Sequence, residues 1–311
     1  MRKSFHLALF SLFLLLRSWA CGQVPSSYNC FVERAASVLA IRPQADGRVI
    51  IGGSFDFVNG VPRNNLARLH ADGSLDTNWN PNADGTVYAI AVSDTNIYVG
   101  GQFRNIGGLP RPYFAKLSYF TGAAQGGLWA KGASNTVRAL ALSGNDIYVG
   151  GSFTNILGTN RNYIALVNID GSVDGNFTNG ADDDVRAVIY HLGDVFAGGD
   201  FSTIGGAVRP FVAKLHYFDG SALSWNPRPN NAVLVLADTG SHIILGGYFD
   251  RVTNQLLNLV AKVDDTTGSP DLGWNPGITG VGVVEALDCD LFNVYIGGNF
   301  TKLWMMVGFA A

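Results

Sequence analysis

Six times along this chain an apolar run ends in Gly-Gly-x-Phe. The copies are Gly52-Gly53-Ser54-Phe55, Gly100-Gly101-Gln102-Phe103, Gly150-Gly151-Ser152-Phe153, Gly198-Gly199-Asp200-Phe201, Gly246-Gly247-Tyr248-Phe249 and Gly297-Gly298-Asn299-Phe300. From first glycine to first glycine the steps are 48, 50, 48, 48 and 51 residues. A period this regular, filled with β-type residues, requires one supersecondary unit repeated around an axis or along a stack.

The third copy shows the anatomy of one unit. Val137-Arg138-Ala139-Leu140-Ala141-Leu142 is a run of strand length, and Ser143-Gly144-Asn145-Asp146 has turn chemistry. Ile147-Tyr148-Val149-Gly150-Gly151 is apolar without alternation, as in a strand covered on both faces. Asn162 to Val167 is a third run, Asp170-Gly171-Ser172 turns again, and Phe177 marks a short fourth strand.

The other copies keep the register. An Ala follows the second Gly by fourteen residues at Ala67, Ala115, Ala165, Ala213 and Ala261, and an aromatic closes the unit at Trp79, Trp129, Phe177, Trp225 and Trp274. The first strand carries Ala40, Ala89, Ala139, Ala187 and Ala286, with Val235 in the fifth copy. Small residues there let neighbouring sheets approach, and the glycine pair serves close approach or a bulge. Four short strands per unit, with no helical periodicity after the first twenty residues, predict an all-β fold. The expected fold is a β-propeller of about six four-stranded blades with an incomplete last blade, a β-solenoid being the alternative.

The string V-x-A-[IL]-A … D-I-Y-V-G-G-x-F … R-x-x-[IFLV]-A-[KR]-L … D-G-S-x-D-x-x-[WF]-N resembles the delta-60 repeat family of bacterial secreted proteins, over residues 37 to about 303. A weaker resemblance, to kelch repeats, rests on the Gly-Gly strand end and the later aromatic. The resemblance implies a β-propeller-like fold on a secreted or surface protein and implies no activity.

The ends depart from the repeat. Residues 1–20 read as a secretory signal peptide: Arg2-Lys3, an apolar run from Leu7 to Leu16, then Ser18-Trp19-Ala20 before the cut. Cleavage removes three basic residues from a chain of net charge −3. Cys21 offers a second reading, a lipid anchor. The expected location is secreted, periplasmic or cell surface. Residues 21–36 form an N-terminal segment that could close the ring, residues 37–303 the repeats, and residues 304–311 an atypical tail. After Leu303 the pattern asks for a third strand and an aromatic, and the chain instead reads Trp304 to Ala311. Truncation is the preferred explanation. Completion of the last blade by Asn29 to Arg34 is the alternative. Secretion permits a disulfide between Cys30 and Cys289, which would lie side by side in a closed ring; a buried thiol at Cys289 is the plainer reading.

Propellers bind ligands at a mouth of the channel, near the innermost strands. The variable residue after the first Val reads Leu39, Tyr88, Arg138, Arg186, Leu234 and Glu285. Tyr88, Arg138, Arg186 and Glu285 are therefore the ligand-binding candidates, with Arg suited to carboxylate or phosphate. A solvated channel with an internal Arg–Glu285 ion pair is the competing reading. The run Asp182-Asp183-Asp184 lies just before the fourth first strand. Arg63, Arg111, Arg161 and Arg209 recur ten residues after the second Gly and are expected to bond carbonyls or an Asp of the adjacent blade. Asp72 to Asp76 and Asp170 to Asp174 are read as turns rather than calcium loops, because they lack the ligand ladder and terminal Glu. His70 and His216 fall in phase at a polar position. No catalytic residue is assigned: no Ser–His–Asp pattern, nucleophile elbow, phosphate loop or Cys/His cluster appears.

Charged residues are 14% of the chain, and no basic patch interleaved with aromatics occurs, which argues against nucleic acid. The expected function is a binding or interaction scaffold whose partner is an extracellular polysaccharide or protein. It is expected to be a monomer without transmembrane span, and to use no cofactor, calcium being the alternative. The rival readings are a polysaccharide lyase or hydrolase, with Glu285 and the Asp182–Asp184 run as its acids, and a fragment of a larger repeat protein.

Overall fold

The computed structural model describes residues 36–301 apart from 94, 291 and 292. The signal peptide, Cys21, Cys30, the Asn29–Arg34 segment and the tail lie outside the described residues. The described residues divide into two compact units: one runs to Leu140 and takes in Phe153–Asn160 and Asn168–Ser172, and the other holds Ala141–Ser152, Arg161–Val167 and the residues from Val173 on.

Each whole repeat lays down three antiparallel strands in sequence order. Ser37–Pro43, Val49–Ser54 and Leu66–Leu69 make the first sheet, and Val87–Val92, Asn96–Gly101 and Phe114–Ser118 the second. Val185–His191, Asp194–Gly199 and Val212–His216 make the fourth, and Val233–Asp238, His242–Gly247 and Val260–Asp264 the fifth. In the third repeat, Asp146–Gly151 pairs with Ile164–Val167. In the sixth, Val283–Cys289 pairs with Val294–Asn299. This is the repeated sheet of a multi-blade β-propeller, the fold expected from the sequence.

Two details differ from the sequence reading. The fourth strand shrinks to a single bridge per repeat, such as Leu69↔Leu75, Val167↔Val173 or Leu215↔Ala222. A two-stranded hairpin joins the second and third strands instead, for example Thr203–Ile204 with Ala207–Val208. The chain after Trp129, Phe177 and Trp225 then bridges to the next repeat's hairpin, at Ala133↔Ile156, Ala181↔Ile204 and Pro229↔Val252. Two-residue strands carry no periodicity, so no sequence pattern announced them.

The glycine pair splits into two jobs. The first glycine permits contact with the following repeat: a Cβ would lie 2.5 Å from Val87 Cγ1 at Gly52, 2.4 Å from Val137 Cγ1 at Gly100, 2.7 Å from Val185 Cγ1 at Gly150, 2.9 Å from Val233 Cγ1 at Gly198 and 2.7 Å from Val284 Cγ1 at Gly246. The second faces a bulge within its own repeat. A Cβ there would lie 1.9 Å from Ser37 O at Gly53, 2.2 Å from Thr86 O at Gly101, 2.0 Å from Asp184 O at Gly199, 2.1 Å from Ala232 O at Gly247 and 2.1 Å from Val283 O at Gly298.

Behind the glycines, the third-strand alanines Ala67, Ala115, Ala165, Ala213 and Ala261 and the motif aromatics Phe55, Phe103, Phe153, Phe201 and Phe249 are buried, as are Trp79, Trp129, Phe177 and Trp225. Apolar burial of this kind, about 25 cal/mol per Å², holds the sheets. Polar bonds add direction between repeats. Arg68 donates to Tyr119 O at 2.6 Å, Lys116 to Ile169 O at 2.9 Å, Tyr148 to Tyr217 O at 2.8 Å and Lys214 to Asp265 O at 3.1 Å. Each reaches the turn after the next repeat's third strand. Burial lowers the Lys116 ammonium below the usual lysine value and raises the Tyr148 phenol well above the usual tyrosine value.

Candidate functional site

The register explains the variable column. Val38 pairs with Gly53 and Ala40 with Gly52, which leaves Leu39 as an extra, unpaired residue. The same shift falls at Tyr88, Arg186, Leu234 and Glu285. These positions are β-bulges, which re-aim a side chain while the ladder on either side continues. The residue that the bulge releases is the residue that varies, between a Val that packs on the preceding repeat's glycine and an Ala of the sheet.

A second variable column faces the first. It is the x of Gly-Gly-x-Phe, at the end of the paired strand: Ser54, Gln102, Ser152, Asp200, Tyr248 and Asn299. Tyr88 donates to Gln102 Oε1 at 3.1 Å, and Arg186 forms a charge-assisted bond with Asp200. Arg186 thus takes its carboxylate from its own hairpin, from the residue next to Gly199, which pairs with Val185. Arg138 places its guanidinium 5.7 Å from the centre of the Tyr88 ring. Leu39 is 48% exposed and Glu285 is also exposed. Arg138 belongs to one compact unit and Arg186 to the other.

The hairpin end is also where the linkers are capped. Asp84 Oδ1 accepts from Arg104 N and Asn105 N at 2.6 and 2.9 Å. Ser134 Oγ takes the same two bonds from Thr154 N and Asn155 N, Asp182 Oδ1 from Ser202 N and Thr203 N, and Asn230 Oδ1 from Asp250 N and Arg251 N. These bonds hold the Asp84 and Asp182 carboxyls below the usual carboxylate range against the opposing effect of burial, which is the largest single influence on each. Of the acidic run, Asp182 therefore caps a hairpin, and Asp183 accepts from Asp184 N at 2.7 Å.

The other recurrent polar residues are structural. Arg63 donates to Pro62 O and Thr77 O, Arg111 to Pro110 O and Gln125 O, Arg161 to Phe177 O and Asp174 O, and Arg209 to Val208 O and Leu223 O. The carbonyls belong to each arginine's own repeat, where the sequence reading looked to the adjacent blade; the arginine lies directly behind the short fourth segment. Asp72 Oδ1 accepts from Ser74 N and Oγ, and Asp170 Oδ1 from Ser172 N and Oγ, so both carboxylates close their turns and are held below the usual range chiefly by those serine bonds. His70 and His216 are half-buried. Cys289 is buried and donates to Asp238 O at 2.8 Å.

One polar cluster had no sequence signal. His191 is buried with Nδ1 at 2.8 Å from Asp238 Oδ2 and Nε2 at 3.1 Å from Asp265 Oδ2, linking the fourth repeat to two places in the fifth. Its nitrogens point to opposite carboxylates, so they cannot converge on one ion. Among the described residues, no group of three or more His, Cys, Asp or Glu is placed to hold a metal, and no helix is long and apolar enough to cross a membrane.

Comparisons with known proteins agree on the class. A family model described as "Domain of unknown function (DUF5122) beta-propeller" matches residues 44–78 and 145–177. No curated protein matches the chain. Among solved structures, the extracellular domain of the putative one component system BT4673 from B. thetaiotaomicron is similar at 13% identity and a TM-score of 0.57, with 88% of this chain and 32% of that one covered. The chain thus spans about a third of that protein's length. The computationally designed Ika8 protein is similar at 17% identity and a TM-score of 0.55, covering 87% of this chain and 71% of that one. The Neurospora crassa Pan2 WD40 domain is similar at 13% identity and a TM-score of 0.54, covering 87% and 78%. At such identities the likeness is one of fold, and it defines a β-propeller repeat protein.

Proposed function

We propose that this chain is a secreted or cell-surface propeller that acts as a binding scaffold, with its recognition residues in the two facing variable columns. The single observation that carries the reading is the bulge. Five of the six first strands hold a Val and an Ala, and the fifth Val233 and Val235; the residue between them differs in type from repeat to repeat: apolar in Leu39 and Leu234, aromatic in Tyr88, basic in Arg138 and Arg186, acidic in Glu285. Constant framework with a variable, partly exposed insertion is how rigid scaffolds carry specificity. The delta-60 resemblance and the apolar leader support export.

A thermal-shift screen of the full chain against calcium, neutral oligosaccharides, anionic ligands and extracellular proteins tests the binding role. A ligand should raise the melting midpoint, since folded-state binding alone does so. The Tyr88→Ala/Arg138→Ala or the Arg186→Ala/Glu285→Gln variant should lose the shift. A shift retained by both double variants overturns the placement of the site. Export is tested separately: N-terminal sequencing of secreted product should begin at Cys21, and a product retaining residues 1–20 would refute it.

A further inference from the structure

The fifth repeat breaks both variable rules at once. Its x position holds Tyr248, an aromatic where the other copies have Ser, Gln, Ser, Asp and Asn. The linker that follows it is longer. The closing aromatic precedes the packing Val by eight residues in Trp79/Val87, Trp129/Val137, Phe177/Val185 and Trp225/Val233, and by ten in Trp274/Val284. The additional length falls around Gly280-Val281-Gly282. Val281 occupies the position of the capping residues Asp84, Ser134, Asp182 and Asn230, and it is 93% exposed.

These departures meet in space. Tyr248, Asn230, Asn231, Asp250, Asn258 and the Gly280–Gly282 segment line one open cleft of about 300 Å³, wholly within one compact unit. That is the lower end of the size range of small-molecule sites, about 300–1,000 Å³. The Tyr248 side of the cleft is an aromatic ring 50% exposed. The polar groups are partly fixed by the protein: Asn230 Nδ2 donates to Asp250 Oδ1 at 2.6 Å, and Asn258 Nδ2 to Ile278 O and Gly280 O. This fixing orients the remaining functions. Tyr248 Oη, Asp250 Oδ2, Asn231 Nδ2 and Asn258 Oδ1 make no hydrogen bond among the described residues, so the cleft offers one hydroxyl, one amide donor and two acceptors beside a ring face.

We infer that this cleft binds a neutral sugar unit, resting on the reading of the chain as a binding scaffold. A pyranose has an apolar C–H face that stacks on an aromatic ring and a rim of hydroxyls that both donate and accept. The cleft supplies both complements. No lysine, arginine or histidine lines it and a carboxylate does, which disfavours sulfated, phosphorylated or uronic ligands. None of Tyr88, Arg138, Arg186 or Glu285 belongs to the lining.

The test is titration calorimetry of the full chain with neutral tetrasaccharides of glucose, mannose and galactose, repeated on Tyr248→Ser, Asp250→Asn and, as a control at an exposed aromatic outside the cleft and the variable columns, Phe120→Ser. Ser54 and Ser152 hold the equivalent position elsewhere, so Tyr248→Ser suits the local backbone. The expected result is binding that Tyr248→Ser weakens by about tenfold, the equivalent of one lost ring contact, and that Phe120→Ser leaves unchanged. Sugar binding insensitive to Tyr248→Ser and Asp250→Asn would overturn the cleft while leaving the scaffold reading in place. Absence of binding by every neutral tetrasaccharide would overturn the sugar. The scaffold reading falls only if the wider thermal-shift panel also yields no ligand.

Discussion

The second strands of the fourth and sixth repeats, Asp194–Gly199 and Val294–Asn299, follow one plan. Both pair antiparallel with a first strand, and both face a bulge. Five of six residues are buried in the fourth, whereas in the sixth four are half-buried and two exposed. The difference is the neighbour. Gly198 lies against Val233 of the next repeat, while among the described residues a Cβ on Gly297 would meet nothing closer than Ala286 of its own repeat, at 3.4 Å. Hydrogen-bond register is thus a property of one repeat, and burial a property of two.

The largest effects should ignore that distinction. Gly199→Ala and Gly298→Ala each put a methyl about 2 Å from a carbonyl oxygen in their own hairpin. Each should cost about 3 kcal/mol in denaturant unfolding, and a mild Gly298→Ala would show that the sixth bulge does not form in solution. Next comes the position that should separate the repeats. Gly198→Ala collides with Val233 and should cost about 2 kcal/mol, while Gly297→Ala should stay within about 0.5 kcal/mol; equal losses would break the comparison.

A smaller contrast concerns the third-strand lysines. Lys214 reaches Asp265 O in the next repeat and also pairs with Asp194 at 3.1 Å, whereas Lys262 pairs with Asp271 of its own repeat in a more exposed position. Lys214→Met should lower stability by about 1.5 kcal/mol and Lys262→Met by about 0.5 kcal/mol, read from unfolding midpoints.

A last expected effect is pH-dependent. Asp182 caps its hairpin and its carboxyl is held low in the folded state. A depressed folded value means that its contribution is present above the ordinary carboxylate value of about 4 and is lost as pH falls through the folded value. Asp182→Ala should therefore cost about 1 kcal/mol at neutral pH and progressively less in acid. A cost independent of pH would assign the loss to packing.

The same division marks what could be seen in the sequence. The glycine spacing, the alanine column and the closing aromatics are set by contacts that recur in each repeat, so their intervals announce the sheet order before any coordinates. The two glycine roles were legible as alternatives, and both hold, one for each glycine. The short hairpins were not legible, because two residues per strand have no period. Nor was the left-handed residue before each third strand, Asn65, Tyr113, Tyr163, Phe211 and Leu259, with φ of 61, 63, 65, 67 and 64°. Its carbonyl accepts from the second motif glycine, from Gly53 to Gly247, and that backbone bond is open to residues as unlike as Asn and Leu. At the candidate site, the bulge column shows itself by variability, whereas nothing in the sequence pairs it with the x of Gly-Gly-x-Phe. Tyr248 was visible only as an aromatic in a polar column, and the His191 cluster joins residues 47 and 74 positions apart that no repeat predicts.

The contact between first glycine and following valine also bears on how such a chain can change over time. Five times the same small surface meets the same branched side chain, so each repeat offers its successor an identical socket. A duplicated or deleted unit of whole period would leave every remaining junction matched, and point changes at a bulge would leave it untouched. Length and recognition can therefore drift independently, the first by gain or loss of whole repeats and the second by single-base substitution.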